Sequence, residues 1–168
     1  MKIFIVLLAF LIAFNSYAQN GINVDEVRIY KSQHRMDMIV QGKVVKSYKV
    51  MLGRGGKASK VKAGDRLVPE GQYQLDYKNP DSLFFKSIHI SYPNDEDLRR
   101  ANELGVDPGG DIMIHGYPNN PSTFFKFLKR IGVIKMVDWT AGCVSVDNHE
   151  MEEIFNNIEV PIPVRIYH

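Results

Sequence analysis

A chain of 168 residues, 45% hydrophobic and 24% charged, has room for one core and one domain, and is too apolar for a disordered chain. With 21 basic residues against 19 acidic ones, its net charge of +2 excludes nucleic acid as the main partner, because a phosphate backbone demands a concentrated basic face. A single cysteine excludes a disulfide framework.

At the N-terminus, Lys2 is followed by an unbroken apolar run from Ile3 to Phe14 and by the small-residue pattern Ser16-Tyr17-Ala18. This order predicts a signal peptide, residues 1–18, cleaved before Gln19. The run is shorter than the roughly 20 apolar residues of a membrane-spanning helix. The expectation is therefore an exported protein of the periplasm or cell envelope, with no stable membrane span after cleavage. No cysteine follows the run to take a lipid. Residues 24–168 form the expected single domain.

Alternating apolar residues predict strands over 25–30, 36–40 and 44–50, with Gln41-Gly42-Lys43 as the tight turn between the last two. Next, Arg54, Lys57, Lys60, Lys62 and Arg66 stand against Asp65 alone in a glycine-rich stretch. It reads either as a solvated loop or as a mobile rim that attracts an anionic substrate. Pro69-Glu70-Gly71 turns the chain into a strand over 72–77, Asn79-Pro80 closes it, and a further strand over 84–91 stops at Pro93. Asn94 caps a polar, mostly solvated helix that ends at Gly105. A brief strand over 111–114 delivers His115-Gly116. Ser122 caps a helix from Thr123 to Ile131 with Gly132 as its stop, and Phe124, Phe125, Phe127 and Leu128 give it enough apolar surface to cover a groove. Residues 144–146 are extended. Asp147 or Asn148 caps a last helix whose Met151, Ile154, Phe155 and Ile158 share one face, and a closing strand spans 162–167. Many strands and few helices make the fold class α+β, dominated by β.

Exported proteins pair their thiols, so a lone cysteine is either inert packing or a reactive nucleophile. Cys143 lies in Asp138-Trp139-Thr140-Ala141-Gly142-Cys143, where Gly142 permits a tight turn before extended structure resumes. A free thiol, with a pKa near 8.5, is only slightly ionised at neutral pH and needs a base. His115 also sits where a strand meets a glycine, and an imidazole is matched to taking the thiol proton and returning it to a leaving amine. Its second nitrogen needs an acceptor, for which the Gly116 carbonyl is a candidate. The N–H groups of Gly142 and Cys143 are candidate oxyanion donors. On the residues alone the pairing stays open, since a buried cysteine and a solvated histidine are each common. His115 and Cys143 lack two further ligands at a recognisable spacing, so neither a metal nor another cofactor is expected.

Four blocks go further: Gly-Asp-x-x-x-Pro-Glu-Gly at 64–71, Ile-Ser-Tyr-Pro-Asn at 90–94, Gly-Gly-Asp-Ile-Met-Ile-His-Gly at 109–116 and Asp-Trp-Thr-x-Gly-Cys at 138–143. In this order they resemble the YkuD-like L,D-transpeptidase catalytic domain family, in its Asp-Trp-Thr-x-Gly-Cys branch. The resemblance implies a mixed β-sandwich with a few short helices, and peptidoglycan stem peptides as partners. It also implies a cysteine that takes the acyl group from the L-centre of diaminopimelate in a tetrapeptide stem, releases D-Ala, and passes the acyl group to an amine. By position, Cys143 matches the nucleophile, His115 the base, Gly116 the residue after it, and Thr140 and Gly142 the Ser/Thr and Gly of the cysteine motif. Two positions depart from the pattern: Ala141 stands where many members have His or Lys, and Ser145 where many have Arg, removing a carboxylate partner. The basic stretch from Arg54 to Lys62 is a candidate source of the missing charge.

Tyr117, His89 and Trp139 are candidate groove residues, each with a structural alternative. For Trp139, as for Asp138, that alternative is bracing the catalytic turn. His34, His149 and His168 read as surface residues. Two other readings compete with transpeptidation: hydrolysis of the same intermediate by an L,D-carboxypeptidase or amidase, and a non-catalytic peptidoglycan-binding module.

Overall fold

The computed structural model describes residues 23–168, so the expected signal peptide, residues 1–18, lies outside the described residues. Eight strands carry the fold: β1 Glu26–Tyr30, β2 Arg35–Val40, β3 Lys43–Lys49, β4 Gly71–Asn79, β5 Ser87–Ile90, β6 Ile112–His115, β7 Val144–Ser145 and β8 Ile162–Tyr167. Three helices join them: α1 Asp95–Leu104, α2 Thr123–Arg130 and α3 Asn148–Asn157.

The strands form one mixed sheet in the order β3-β2-β1-β8-β4-β5-β6-β7. Period-two alternation sets the inward faces: Val27 and Ile29 of β1 and Ile162, Val164 and Ile166 of β8 are buried, while their neighbours along the strand are more exposed. β8 runs parallel to β1 and antiparallel to β4, and β6 runs parallel to β7. Beyond β3 the chain returns to the far edge of the sheet, where Met51 bridges Ser145 and Gly53 bridges Thr140. The sheet thereby curls until its two ends meet, and its inner face encloses Met36, Met38, Leu75, Ile90, Ile114 and Val144. Met151, Ile154 and Ile158 of α3 join that core, as helical spacing predicts, with Phe155 partly buried beside them.

Asn94 forms a capping box with Asp97 at the start of α1, and Gly105 ends the helix in the left-handed conformation. The strand expected over 84–91 is shorter. Phe85 has φ 67° and gives its N–H to Asn119 Oδ1 at 3.0 Å, so residues 84–86 belong to the loop ahead of β5.

The basic stretch is not the mobile rim that its glycines suggest. The Asp65 carboxylate accepts the N–H groups of Val61, Lys62 and Leu67 and the ammonium of Lys60. Lys31, wholly buried, donates to the Ala58 and Val68 carbonyls and to Glu70 Oε1 at 2.8–2.9 Å. A buried ammonium with three acceptors is satisfied, and it pins the stretch to β1. Lys60 is therefore buried structure, while Arg54, Lys57, Lys62 and Arg66 stay exposed.

Candidate active site

Parallel pairing of β6 with β7 brings the two reactive residues together. The register sets Ile114 opposite Val144 and His115 opposite Ser145, so His115 and Ser145 share a face. Cys143, two residues before Ser145, points to that face as well. Sγ and the imidazole both line a cavity of about 490 Å³, and Met113 lines its floor.

His115 is 4% exposed and sits at the edge of an aromatic cluster, with ring centroids 4.7 Å from Phe84 and 5.6 Å from Trp139. Its Nδ1 lies 2.7 Å from the Gly116 carbonyl oxygen. A carbonyl only accepts, so Nδ1 carries the proton and Nε2 holds a free lone pair. Ser145, wholly buried, donates its hydroxyl to the same carbonyl at 3.3 Å and so helps hold the group that orients the imidazole. Burial pulls the imidazole pKa down to about 4, against a smaller upward pull from the Gly116 bond. Burial also raises the Cys143 thiol, and the nearby Asp111 charge adds to that, with a contact from the Met113 backbone acting the other way. At neutral pH the resting pair is therefore a thiol beside a neutral imidazole, not an ion pair. The thiol points to the Asp111 carbonyl at 3.5 Å.

The turn that presents Cys143 is braced from both sides. Thr140 Oγ1 donates to the Cys143 carbonyl at 2.7 Å and accepts the Gly142 N–H at 3.2 Å. In this arrangement the Gly142 N–H is engaged by Thr140, which leaves the Cys143 N–H as the open candidate for an oxyanion. Gly142 has φ 131°, a region closed to other residues, and a Cβ there would lie 3.0 Å from the Leu67 carbonyl oxygen. Gly53 presses on the turn from the neighbouring segment, where a Cβ would strike the Arg66 carbonyl oxygen and approach Gly142 Cα to 3.0 Å. Leu52 donates to Asp138 Oδ1 at 2.8 Å, and its carbonyl accepts the Thr140 N–H at 3.1 Å. Asp138 also takes a bond from His34 Nε2 at 3.0 Å. His34 is thus a half-buried brace, where the sequence reads as a surface residue, because the turn between β1 and β2 lies beside the cysteine-bearing segment.

The other candidates separate. Trp139 lines the cavity. Tyr117 does not: it is buried behind Trp139 with Phe125, Met51 and Ile134. His89 is outside the cavity lining, its Nδ1 2.7 Å from Asp76 and its ring stacked on Tyr77. His149 and His168 are exposed. Helix α2 does not cover the groove. Its Phe125 packs edge-on against Trp139 from behind, centroids 5.0 Å apart, and no α2 residue lines the cavity.

The walls come instead from the 79–84 loop, with Leu83 and Phe84, and from Arg54 and Asp111. Phe84 escapes sequence reading because the strand predicted over 84–91 absorbs it, Leu83 because it lies in the unassigned stretch just before that strand, and Asp111 because it reads as the start of a strand. The signal that could have marked Asp111 is Gly109-Gly110 just before it, a turn that leaves Asp111 itself at φ 55°. Among the described residues neither Arg54 nor Asp111 enters an ion pair, and both are exposed at the cavity. No group of three potential metal ligands occurs among the described residues.

The YkuD family, described as the L,D-transpeptidase catalytic domain, matches residues 24–166. The chain is 34% identical over 96 residues to YafK of Escherichia coli (strain K12), named as an L,D-transpeptidase, covering 54% of this chain and 37% of that protein. Among solved structures it resembles a lysine-to-alanine variant of Pgp2, the helical cell shape determining protein of Campylobacter jejuni. There the TM-score is 0.60 at 25% identity, over 86% of this chain and 47% of that one. A cysteine-to-serine variant of the Enterococcus faecium L,D-transpeptidase shares the fold, with a TM-score of 0.53 at 14% identity over 87% of this chain and 50% of the other. The chain thus spans between about a third and a half of these relatives' lengths.

Proposed function

Because the chain belongs to the YkuD family of L,D-transpeptidase catalytic domains, whose members act on peptidoglycan, we propose that it is a cysteine-dependent L,D-transpeptidase acting on tetrapeptide stems in the cell envelope. One observation carries the reading: the only cysteine shares a cavity with a neutral histidine whose Nε2 lone pair is left free by the Nδ1 bond to Gly116.

The resting thiol is raised by burial, so it needs that lone pair at the moment of attack. As Sγ adds to the carbonyl at the L-centre of diaminopimelate, its proton passes to His115 Nε2. The C–N bond to the terminal D-Ala then breaks, and the imidazolium returns the proton to the departing amine. A thioester on Cys143 remains. The Cys143 N–H is the donor for the oxyanion, and Thr140 holds the turn that aims it. An acceptor amine next attacks the thioester, gives its proton to His115 and frees the thiol. Arg54 and Asp111 offer the cavity one positive and one negative pole, suited to the carboxylates and amine of a stem.

A second reading, hydrolysis of the same thioester by an L,D-carboxypeptidase or amidase, is favoured by one feature: α2 leaves the cavity uncovered, so water reaches it. A non-catalytic binding module is disfavoured by the intact pair. The deciding experiment gives the purified protein a disaccharide tetrapeptide with an excess of D-amino acid or a second stem, and Cys143→Ala as control. Exchange product or dimer supports transfer, and tripeptide alone at every acceptor concentration moves the assignment to hydrolysis. Release of a stem or protein from preformed cross-links points to the amidase. Turnover by Cys143→Ala would overturn the nucleophile itself.

A further inference from the structure

Helix α2 divides its surface into three arcs when residues are placed at about 100° apart. Phe125 and Leu128 form the first, packed on Tyr117 and Trp139. Lys126, Lys129 and Arg130 form the second. Phe124, Phe127 and Ile131 form the third, and it faces outward with nothing upon it: Phe124 is 68% exposed, Phe127 54% and Ile131 51%. Met136 and Val137, just beyond, extend the exposed apolar surface. An apolar stripe beside a cationic one is the pattern of a helix lying in a membrane interface.

The charge around it is one-sided. From Ile112 to Val137 the sequence has no Asp or Glu. Lys135 is neutralised by Asp147 and Glu150, but among the described residues Lys126, Lys129 and Arg130 have no carboxylate partner. Helix α1 behaves as a solvated helix should, with Arg99 paired to Glu96 and Glu103 and Arg100 paired to Asp97. A second copy of the chain is a poor occupant, since a two-fold contact would set these three cations against their own copies. An anionic surface with an apolar interior meets both arcs at once.

We propose that the face formed by α2 and residues 131–137 docks onto an anionic lipid bilayer, with Phe124, Phe127, Ile131 and Met136 entering the headgroup boundary and Lys126, Lys129 and Arg130 lying on lipid phosphates. This is peripheral binding, because no helix among the described residues is long and apolar enough to cross a membrane. Phe125, on the buried arc, touches Trp139, which lines the cavity, so a docked chain holds its cavity on the far side of α2 and Trp139 from the lipid.

The test reads position 127 itself, in the full chain, so that attachment through the apolar run of residues 3–14 leaves the reporter in water. Phe127→Trp is mixed with vesicles of phosphatidylglycerol or of phosphatidylcholine carrying brominated acyl chains, and the unsubstituted chain supplies the Trp139 background. The expected result is a blue shift and quenching of the new indole on phosphatidylglycerol only, weakening as salt is added. Neutralising Lys126, Lys129 and Arg130 to Gln should lower the partition coefficient on the order of 100-fold while melting stays unchanged. An indole that stays in water on anionic vesicles, equal quenching on both lipids, or a blue shift that grows with protein concentration in the absence of vesicles would each overturn the proposal, the last by assigning the face to self-association.

Discussion

The buried imidazole proposed as the base should also make the fold sensitive to acid. His115 titrates at about 4 in the folded chain, against 6.5 for a free imidazole, because burial disfavours its charged form. Between these two values the unfolded chain binds a proton that the folded chain refuses, so stability is complete above pH 6.5 and is lost as pH falls toward 4. The loss amounts to about 2 kcal/mol by pH 5 and about 3 kcal/mol by pH 4. Denaturant unfolding from pH 7 to pH 4, comparing the native chain with His115→Gln, isolates this contribution. Glu26, Asp65, Glu70 and Asp147 are held below their usual range, so they act at lower pH and equally in both proteins. The variant should lose less stability on acidification by about 3 kcal/mol, whatever its stability at pH 7. Parallel curves for the two proteins would refute the assignment of a neutral, desolvated base.

Thr140→Val keeps the shape of the side chain but strands the Gly142 N–H and frees the Cys143 carbonyl; we expect a cost of about 1–3 kcal/mol in unfolding experiments, with a slower acylation burst. Gly53→Ala drives a methyl group into the Arg66 carbonyl and against Gly142, and should cost about 1–3 kcal/mol while depressing labelling of Cys143 by a carbapenem probe, which mass spectrometry reads directly. Arg54→Gln removes an exposed, unpaired cation from the cavity wall; melting should not move, KM for a tetrapeptide stem should rise, and an unchanged KM would remove Arg54 from substrate binding.

The local elements were legible because their causes are local. Alternating apolar residues give β1 and β8, and Asn94, Ser122 and Asp147 each cap a helix with their own side chains. Cys143 and His115 stood out because each follows or precedes a glycine at a strand end, and the Gly116 carbonyl as imidazole acceptor followed from adjacency. What escaped the sequence depends on contacts across long separations. Phe84 reads as strand until Asn119 claims the next amide, and His34 reads as surface until Asp138 arrives beside it. The outward face of α2 was missed for another reason: Phe124 and Phe127 look like core or cover, and only the packed helix reveals which arc is spent. The basic stretch likewise owes its order to Lys31, which precedes it by some two dozen residues and gives no hint of burial.

Strand β8 lies between β1 and β4, and it is what joins the β3-β2-β1 ribbon to the four strands that carry the reactive pair. The ribbon also leads into residues 51–54, which zip against the cysteine turn. The strand that connects the two halves follows Cys143 in the sequence. The aim of the thiol thus depends on a strand that lends no residue to the cavity.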